Sequence, residues 1–251
     1  MRASTLALAL FIAFGMTGAR SAPAPKPADS ITLQSVLQKM DSMATDFRTA
    51  QADFEWDNYQ RVIDDVIDIQ TGTIYYRRVN NGIEMKADIK KSGPTVASLK
   101  PDPKFVLISN GKARMYLPKP DTVTEYDLAK NHSDLESYMV LGFGGSGQDL
   151  QKAFDVTFGG TEKIKEASTG TEVTTARLEL VPKSESVRKV YNKMILWIDP
   201  DRGISVQQQF FTPQNDYRLC KYSSIKLKEK IGDEVFKLKT TNKTQTVSAG
   251  G

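Results

Sequence analysis

The most chemically suggestive spacing in the chain is Gly142-Phe143-Gly144-Gly145-Ser146-Gly147, which satisfies G-x-G-x-x-G. In dinucleotide-binding folds that run follows a strand, opens a helix and lets the backbone approach a pyrophosphate. Here the preceding segment has helical periodicity in an otherwise antiparallel context, so the glycines read as a hinge between two short helices. His132 is the only histidine and Cys220 the only cysteine, which excludes multi-histidine and thiolate metal sites and any intramolecular disulfide. A Ser-His-Asp triad would have to use His132, between Asn131 and Ser133 in a loop, and there is no Gly-x-Ser-x-Gly elbow. Asp64, Asp65 and Asp68 cluster in a strand-like run and read as a solvated face. Cys220, also in a strand, reads as a buried and inert thiol. No catalytic residue, metal ligand or cofactor site follows from these residues, and no enzyme activity is expected.

With catalysis unsupported, the elements and their apolar residues carry the reading. Of 251 residues, 39% are hydrophobic and 25% charged, as expected for a globular chain with one sizeable core. Four β-patterned runs, Ala176–Val181, Lys193–Ile198, Ile204–Phe211 and Tyr217–Leu227, are joined by short loops rich in Pro, Gly, Asp and Asn. That is an antiparallel meander, since βαβ units need a helix between strands. Period two places Leu178, Leu180, Met194, Leu196, Ile198, Ile204, Val206 and Phe210 on one face, with Arg177, Glu179, Gln207 and Gln209 on the wetter one. Earlier strands are read over Ala50–Trp56, Gly72–Arg78, Ile83–Ile89, Phe105–Ser109, Ala113–Leu117 and Val123–Tyr126. Lys90–Pro103 and Thr161–Gly170 read as loops and Phe236–Lys239 as a weak strand.

Two regions break this pattern. Leu33, Val36, Leu37, Met40 and Met43 recur at helical spacing after a cap at Asp29 or Ser30, giving a helix from Thr32 to about Thr45. Ser133 and Glu136 have capping-box spacing ahead of Leu135, Tyr138, Met139 and Leu141, and Gln148–Phe154 reads as a second short helix. Helices set into a sheet are candidates for a lid. Phe54, Trp56, Ile74, Tyr76, Met85, Met115 or Tyr116, Leu141, Phe143, Leu178, Leu180, Met194 and Leu196 would then be either plain core or the lining of a lidded cavity.

Residues 1–21 read as an export signal: Arg2, an apolar Leu6–Phe14 core, and a small-residue cleavage site at Thr17-Gly18-Ala19 or Ala19-Arg20-Ser21. Residues 22–30, with Pro23, Pro25 and Pro27, form a flexible lead-in, residues 31–239 the folded domain, and residues 240–251 a disordered tail. Formal charge is +4, and +2 once Arg2 and Arg20 are removed, with basic residues scattered among acids. This is no nucleic-acid footprint. The mature protein is expected outside the cytoplasm, without a lipid anchor.

Four stretches together resemble the LolA-like periplasmic carriers of outer-membrane lipoproteins: the first helix with Ala52-Asp53-Phe54; Gly72-Thr73-Ile74-Tyr75-Tyr76-Arg77-Arg78; Ile108–Tyr116; and Leu178–Lys183 leading to Ile195–Asp199. The resemblance spans about Leu33 to Phe236. It implies a mostly β, α+β fold: an incomplete antiparallel β-barrel with an N-terminal helix and short helices as a lid over an apolar cavity. It also implies a periplasmic monomer that takes acyl chains of outer-membrane-destined lipoproteins from an inner-membrane release complex to an outer-membrane receptor or membrane. Arg78 matches the family's lid-latch arginine, although Val79 stands where proline is usual. Arg77 and Arg78 point to opposite faces of a strand, so only one can reach a lid. The alternative is a half-barrel lipid-binding or regulatory sensor that binds a signalling partner instead of transporting cargo.

Overall fold

Alternating apolar residues separated by tight turns can bury one face only by lying edge to edge under a cover. The structure, a computed structural model, describes residues 31–80, 82–128, 141–166 and 170–248. The expected signal segment, the lead-in, His132 and the helix after Ser133 lie outside these residues.

The elements are α1 (Leu33–Asp46), β1 (Thr49–Gln60), β2 (Asp65–Val79), β3 (Gly82–Gly93), β4 (Lys100–Ser109), β5 (Lys112–Leu117), β6 (Thr122–Asp127), α2 (Gly147–Ala153), β7 (Phe154–Lys165), β8 (Glu172–Pro182), α3 (Glu185–Arg188), β9 (Lys193–Asp199), β10 (Ile204–Phe211), β11 (Tyr217–Leu227) and β12 (Gln245–Ser248). All strands form one 12-stranded sheet in the order β12-β6-β5-β4-β3-β2-β1-β11-β10-β9-β8-β7. Its two edges, β12 and β7, stay unjoined, so the fold is the expected incomplete antiparallel barrel with helices on one face. Among the described residues, no helix is long and apolar enough to cross a membrane.

α1 starts one residue later than the pattern suggests. Thr32 caps it, its hydroxyl accepting from the Ser35 N–H at 3.2 Å while the Ser35 hydroxyl accepts from the Thr32 N–H at 3.0 Å. Its buried stripe, Val36, Leu37 and Met40, packs on Leu178, Leu180, Met194, Leu196 and Ile198 of β8 and β9. A second cluster is built on β1, β2, β3 and β11 from Ala52, Phe54, Trp56, Ile74, Ala87 and Tyr222, among others. Phe210 packs against both clusters.

Several expectations need correction. Most of Lys90–Pro103 is strand, because β3 runs to Gly93 and β4 starts at Lys100. β5 pairs with β4 only over Phe105–Ser109, and the stretch with Pro101 and Pro103 pairs with β3 alone, Pro101 opposite Lys91 beyond a register shift. Thr161–Lys165 is likewise strand: a register shift between Phe158 and Thr161 absorbs Gly159-Gly160 and β7 continues. On β10, a shift between Ser205 and Gln207 puts Ser205, not Ile204 or Val206, opposite Ile198. Val206 instead packs with Ile195 and Trp197 on the outer face.

The C-terminal segment is also ordered further than its polarity suggests. Asp233–Phe236 is a 3-10 turn, and Gln245–Ser248, inside the expected disordered tail, pairs in parallel with β6. The Thr241 and Thr244 hydroxyls donate to the Asp121 carboxylate at 2.7 and 2.6 Å, which holds Asp121 below the usual carboxylate range. The folded domain therefore extends past residue 239 to Ser248. Arg77 anchors this segment on the outer face by pairing with Glu84 at 2.6 Å and with Asp233, and by lying 4.3 Å from the centre of the Phe236 ring. Phe236 is only 7% exposed, so Phe236→Ala is expected to lower stability by roughly 3 kcal/mol in denaturant titration. A loss near zero would mean that the segment does not pack.

Candidate functional site

The sequence places Leu141 and Phe143 two residues apart, and the structure sends them into different clusters. Leu141 joins the α1 cluster and Phe143 the second one. Phe143 is 0% exposed; it stacks on Tyr76 and meets Tyr222 edge-on, both at 4.9 Å between ring centroids. The Leu141–Gly144 loop thus fills the helix-covered face of the sheet.

Glycine is required at two positions of this loop. Gly142 has φ +74° and Gly144 φ +84°, a region that costs residues bearing a Cβ roughly 1–2 kcal/mol. A Cβ on Gly142 would also lie 2.1 Å from the Ser205 Cβ, and one on Gly144 2.6 Å from the Phe47 ring. The glycine run is therefore a tightly seated turn, where a hinge was expected. Beyond it, Ser146 caps α2 by accepting from the Asp149 N–H at 3.0 Å, and Asp41 of α1 accepts from the Gln148 N–H at 3.1 Å.

The loop's polar attachments to the sheet run through its carbonyls. Gln208 Nε2 donates to the Leu141 carbonyl at 2.5 Å, the Ser205 N–H to the Gly142 carbonyl at 2.9 Å, and Arg78 Nη2 to the Gly144 carbonyl at 3.0 Å. Arg78 Nη2 also donates to the Ala44 carbonyl in the last turn of α1 at 3.3 Å. One guanidinium therefore ties together the strand end, the first helix and the loop, while its neighbour Arg77 turns to the outer face.

Of the residues expected to line a cavity, Phe54, Trp56, Ile74, Tyr76 and Phe143 gather in the second cluster, with Met85 packed against it. Leu141, Leu178, Leu180, Met194 and Leu196 gather in the first. Met115 stands apart on β5, half-buried opposite Val106. Tyr116, the other residue considered there, is on the alternate face with its hydroxyl donating to Asp121 at 3.0 Å.

Sequence reasoning missed Gln208. It lies in a row running Leu196, Gln208, Cys220, Trp56 across β9, β10, β11 and β1. Counting back by two from Phe210 would have found it. Its Oε1 accepts from the Tyr222 hydroxyl at 3.2 Å. Burial pushes the Cys220 thiol up to about 12 and the Tyr76 and Tyr222 hydroxyls above the ordinary phenol range. These groups are all neutral at physiological pH. Among the described residues, no group of three or more His, Cys, Asp or Glu could hold a metal ion.

No family model matches the sequence, and no curated protein matches it. Solved structures do share the architecture. An uncharacterized conserved protein from Thermus thermophilus is 11% identical, with 86% of this chain and 98% of that one covered at a TM-score of 0.50. A LolA superfamily protein from Nitrosomonas europaea is 14% identical over 83% of this chain and 99% of that one, at 0.39. A chain of the Pseudomonas aeruginosa MucA/MucB complex is 11% identical over 82% of this chain and 60% of that one, at 0.44. At such identities the likeness to the Thermus protein is one of fold, and the other two are looser still.

Seating of the loop is testable at its tightest point. Gly142→Ala is expected to unseat Phe143, raising bis-ANS fluorescence several-fold and lowering stability by roughly 1–2 kcal/mol or more. Dye binding and stability like those of the parent protein would show that the loop is not packed against Ser205.

Proposed function

We propose that this protein is a periplasmic carrier that takes up the acyl chains of outer-membrane-destined lipoproteins where the Leu141–Gly144 loop now sits. The observation that carries this reading is the loop itself: an apolar plug in the helix-covered face of an open sheet, held by a few donors that do not belong to it. Phe54, Trp56, Ile74, Tyr76, Met85, Met115, Leu178, Leu180, Met194 and Leu196 would line the space, with Leu141 and Phe143 as the displaced side chains and Arg78 as the latch. The family resemblance supports the same assignment and supplies the route, from an inner-membrane release complex to an outer-membrane receptor or membrane. The carrier would act as a monomer, without cofactor or covalent step.

The magnitudes suit a carrier. Withdrawing two large apolar side chains costs about 3–6 kcal/mol, and each buried methylene of cargo returns about 0.8 kcal/mol. Roughly four to eight methylenes therefore offset the plug, and the rest of an acyl chain supplies net affinity. Arg78 adds to the opposing side: a bond from a charged donor contributes on the order of 1.5–3 kcal/mol when shielded and less where water reaches it. Losing both of its carbonyl bonds on opening would shift retention by about tenfold.

Arg78→Leu is therefore expected to retain an acylated peptide roughly tenfold more tightly than the parent protein and to release it to an acceptor more slowly. Arg77→Leu, on the outer face, should transfer cargo like the parent protein. If both variants transfer normally, Arg78 is no latch. If an acylated peptide binds no better than its unacylated form, the carrier reading fails.

A further inference from the structure

The helix-covered face is not uniformly hydrocarbon-like, and one of its polar groups has no partner. Trp56 is 8% exposed, its ring stacks on Phe54 at 4.1 Å, and its indole N–H is buried without a hydrogen-bond partner. The Tyr222 hydroxyl lies close enough for the indole N–H to stabilise its ionised form, but the contact falls outside hydrogen-bond geometry, and the hydroxyl's own proton goes to Gln208 at 3.2 Å. The contrast with Trp197 is direct: that indole, on the outer face, donates to Glu162 Oε2 at 2.6 Å. A buried donor left unmatched forfeits roughly 1–3 kcal/mol, and in a face built only for packing a phenylalanine would fill the same place without that penalty.

A second donor joins it when the plug leaves. Gln208, 3% exposed, commits its amide N–H to the Leu141 carbonyl. If cargo displaces Leu141, this N–H loses its acceptor in an apolar surrounding. Trp56 and Gln208 stand in one cross-strand row with Cys220 between them, about two strand spacings or ~10 Å apart. Opening the plug thus exposes two neutral N–H donors; beside them, among the described residues, Arg218 has its guanidinium carbon 5.5 Å from the centre of the Trp56 ring and commits its Nε to Asn58.

We infer that Trp56 Nε1 and Gln208 Nε2 form a carbonyl-recognition subsite, which selects acyl chains in ester or amide linkage over plain alkyl chains. This rests on the carrier reading and narrows it: the bound chain must bring an acceptor to the row that the Leu141 carbonyl now partly serves. The linkage carbonyls of an acylated lipid are such acceptors, and an alkyl ether of equal length lacks them.

The experiment compares dioctanoylglycerol with its ether counterpart dioctylglycerol, by titration and by tryptophan emission. The parent protein should bind the ester roughly three- to tenfold more tightly, the range of one or two neutral hydrogen bonds. Ester loading should red-shift the Trp56 emission as its N–H gains an acceptor, while ether loading should not. Trp197 already has its acceptor and lies on the other face, so it contributes no such shift. In Trp56→Phe, which keeps an aromatic ring against Phe54, the emission change should vanish and the ester-to-ether ratio should fall toward one. Equal binding of ester and ether by the parent protein, or a ratio undiminished in Trp56→Phe, overturns the subsite while leaving the carrier reading in place. If neither lipid binds, both readings fail.

Discussion

Among the described residues, a sheet of twelve strands that does not close on itself is covered by one 14-residue helix and two shorter ones, and what fills the rest of its apolar face shapes everything else. Removing that surface from water yields about 25 cal/mol per Å², so the uncovered remainder must be filled by something. In this chain the filler is a short loop with one aromatic side chain. It packs well, and among the described residues its recorded polar attachments to the sheet are the three carbonyl bonds from Gln208, Ser205 and Arg78.

Those attachments explain why the loop can be both stable and displaceable. Its side chains are held by burial, which any apolar occupant can replace. Its backbone is held by donors from β2 and β10: Arg78, Ser205 and Gln208. These give direction, since a bond from a charged or buried donor stabilises one arrangement over another even where its net energy is modest. The outer face has the opposite character. There Arg177 pairs with Glu179 along β8, Lys221 pairs with Glu55 across strands, and Arg77 holds the C-terminal segment, so wetter chemistry stays away from the apolar interior.

Much of this was legible in the chain. Period-two alternation identified the meander from Ala176 to Leu227, and the same rule, carried from Ile74 through Tyr76, puts Arg78 on the face of the helices and Arg77 on the other. What the rule cannot register is an inserted residue: the shift between Ser205 and Gln207 reverses the sense of the count, so Val206 was placed on the wrong face. Gly142 and Gly144 were visible as flexible residues, but flexibility in sequence does not distinguish a hinge from a backbone forced close to Ser205 and Phe47. Only the three-dimensional neighbours decide that. β12 was missed because its partner β6 lies more than a hundred residues earlier, and no local pattern announces a strand whose pairing is supplied by Asp121 and two threonines.

The central claim, that cargo and loop compete for one place, has a direct reporter in the Ser205 amide, whose hydrogen bond ends on the Gly142 carbonyl at 2.9 Å. Its hydrogen exchange should be followed with and without a saturating acylated peptide. If the loop leaves when acyl chains enter, the Ser205 amide loses its acceptor and exchanges at least tenfold faster in the loaded protein, while amides paired between β8 and β9 stay protected. An unchanged or slower Ser205 exchange, with peptide bound, would place the acyl chains elsewhere and contradict the account.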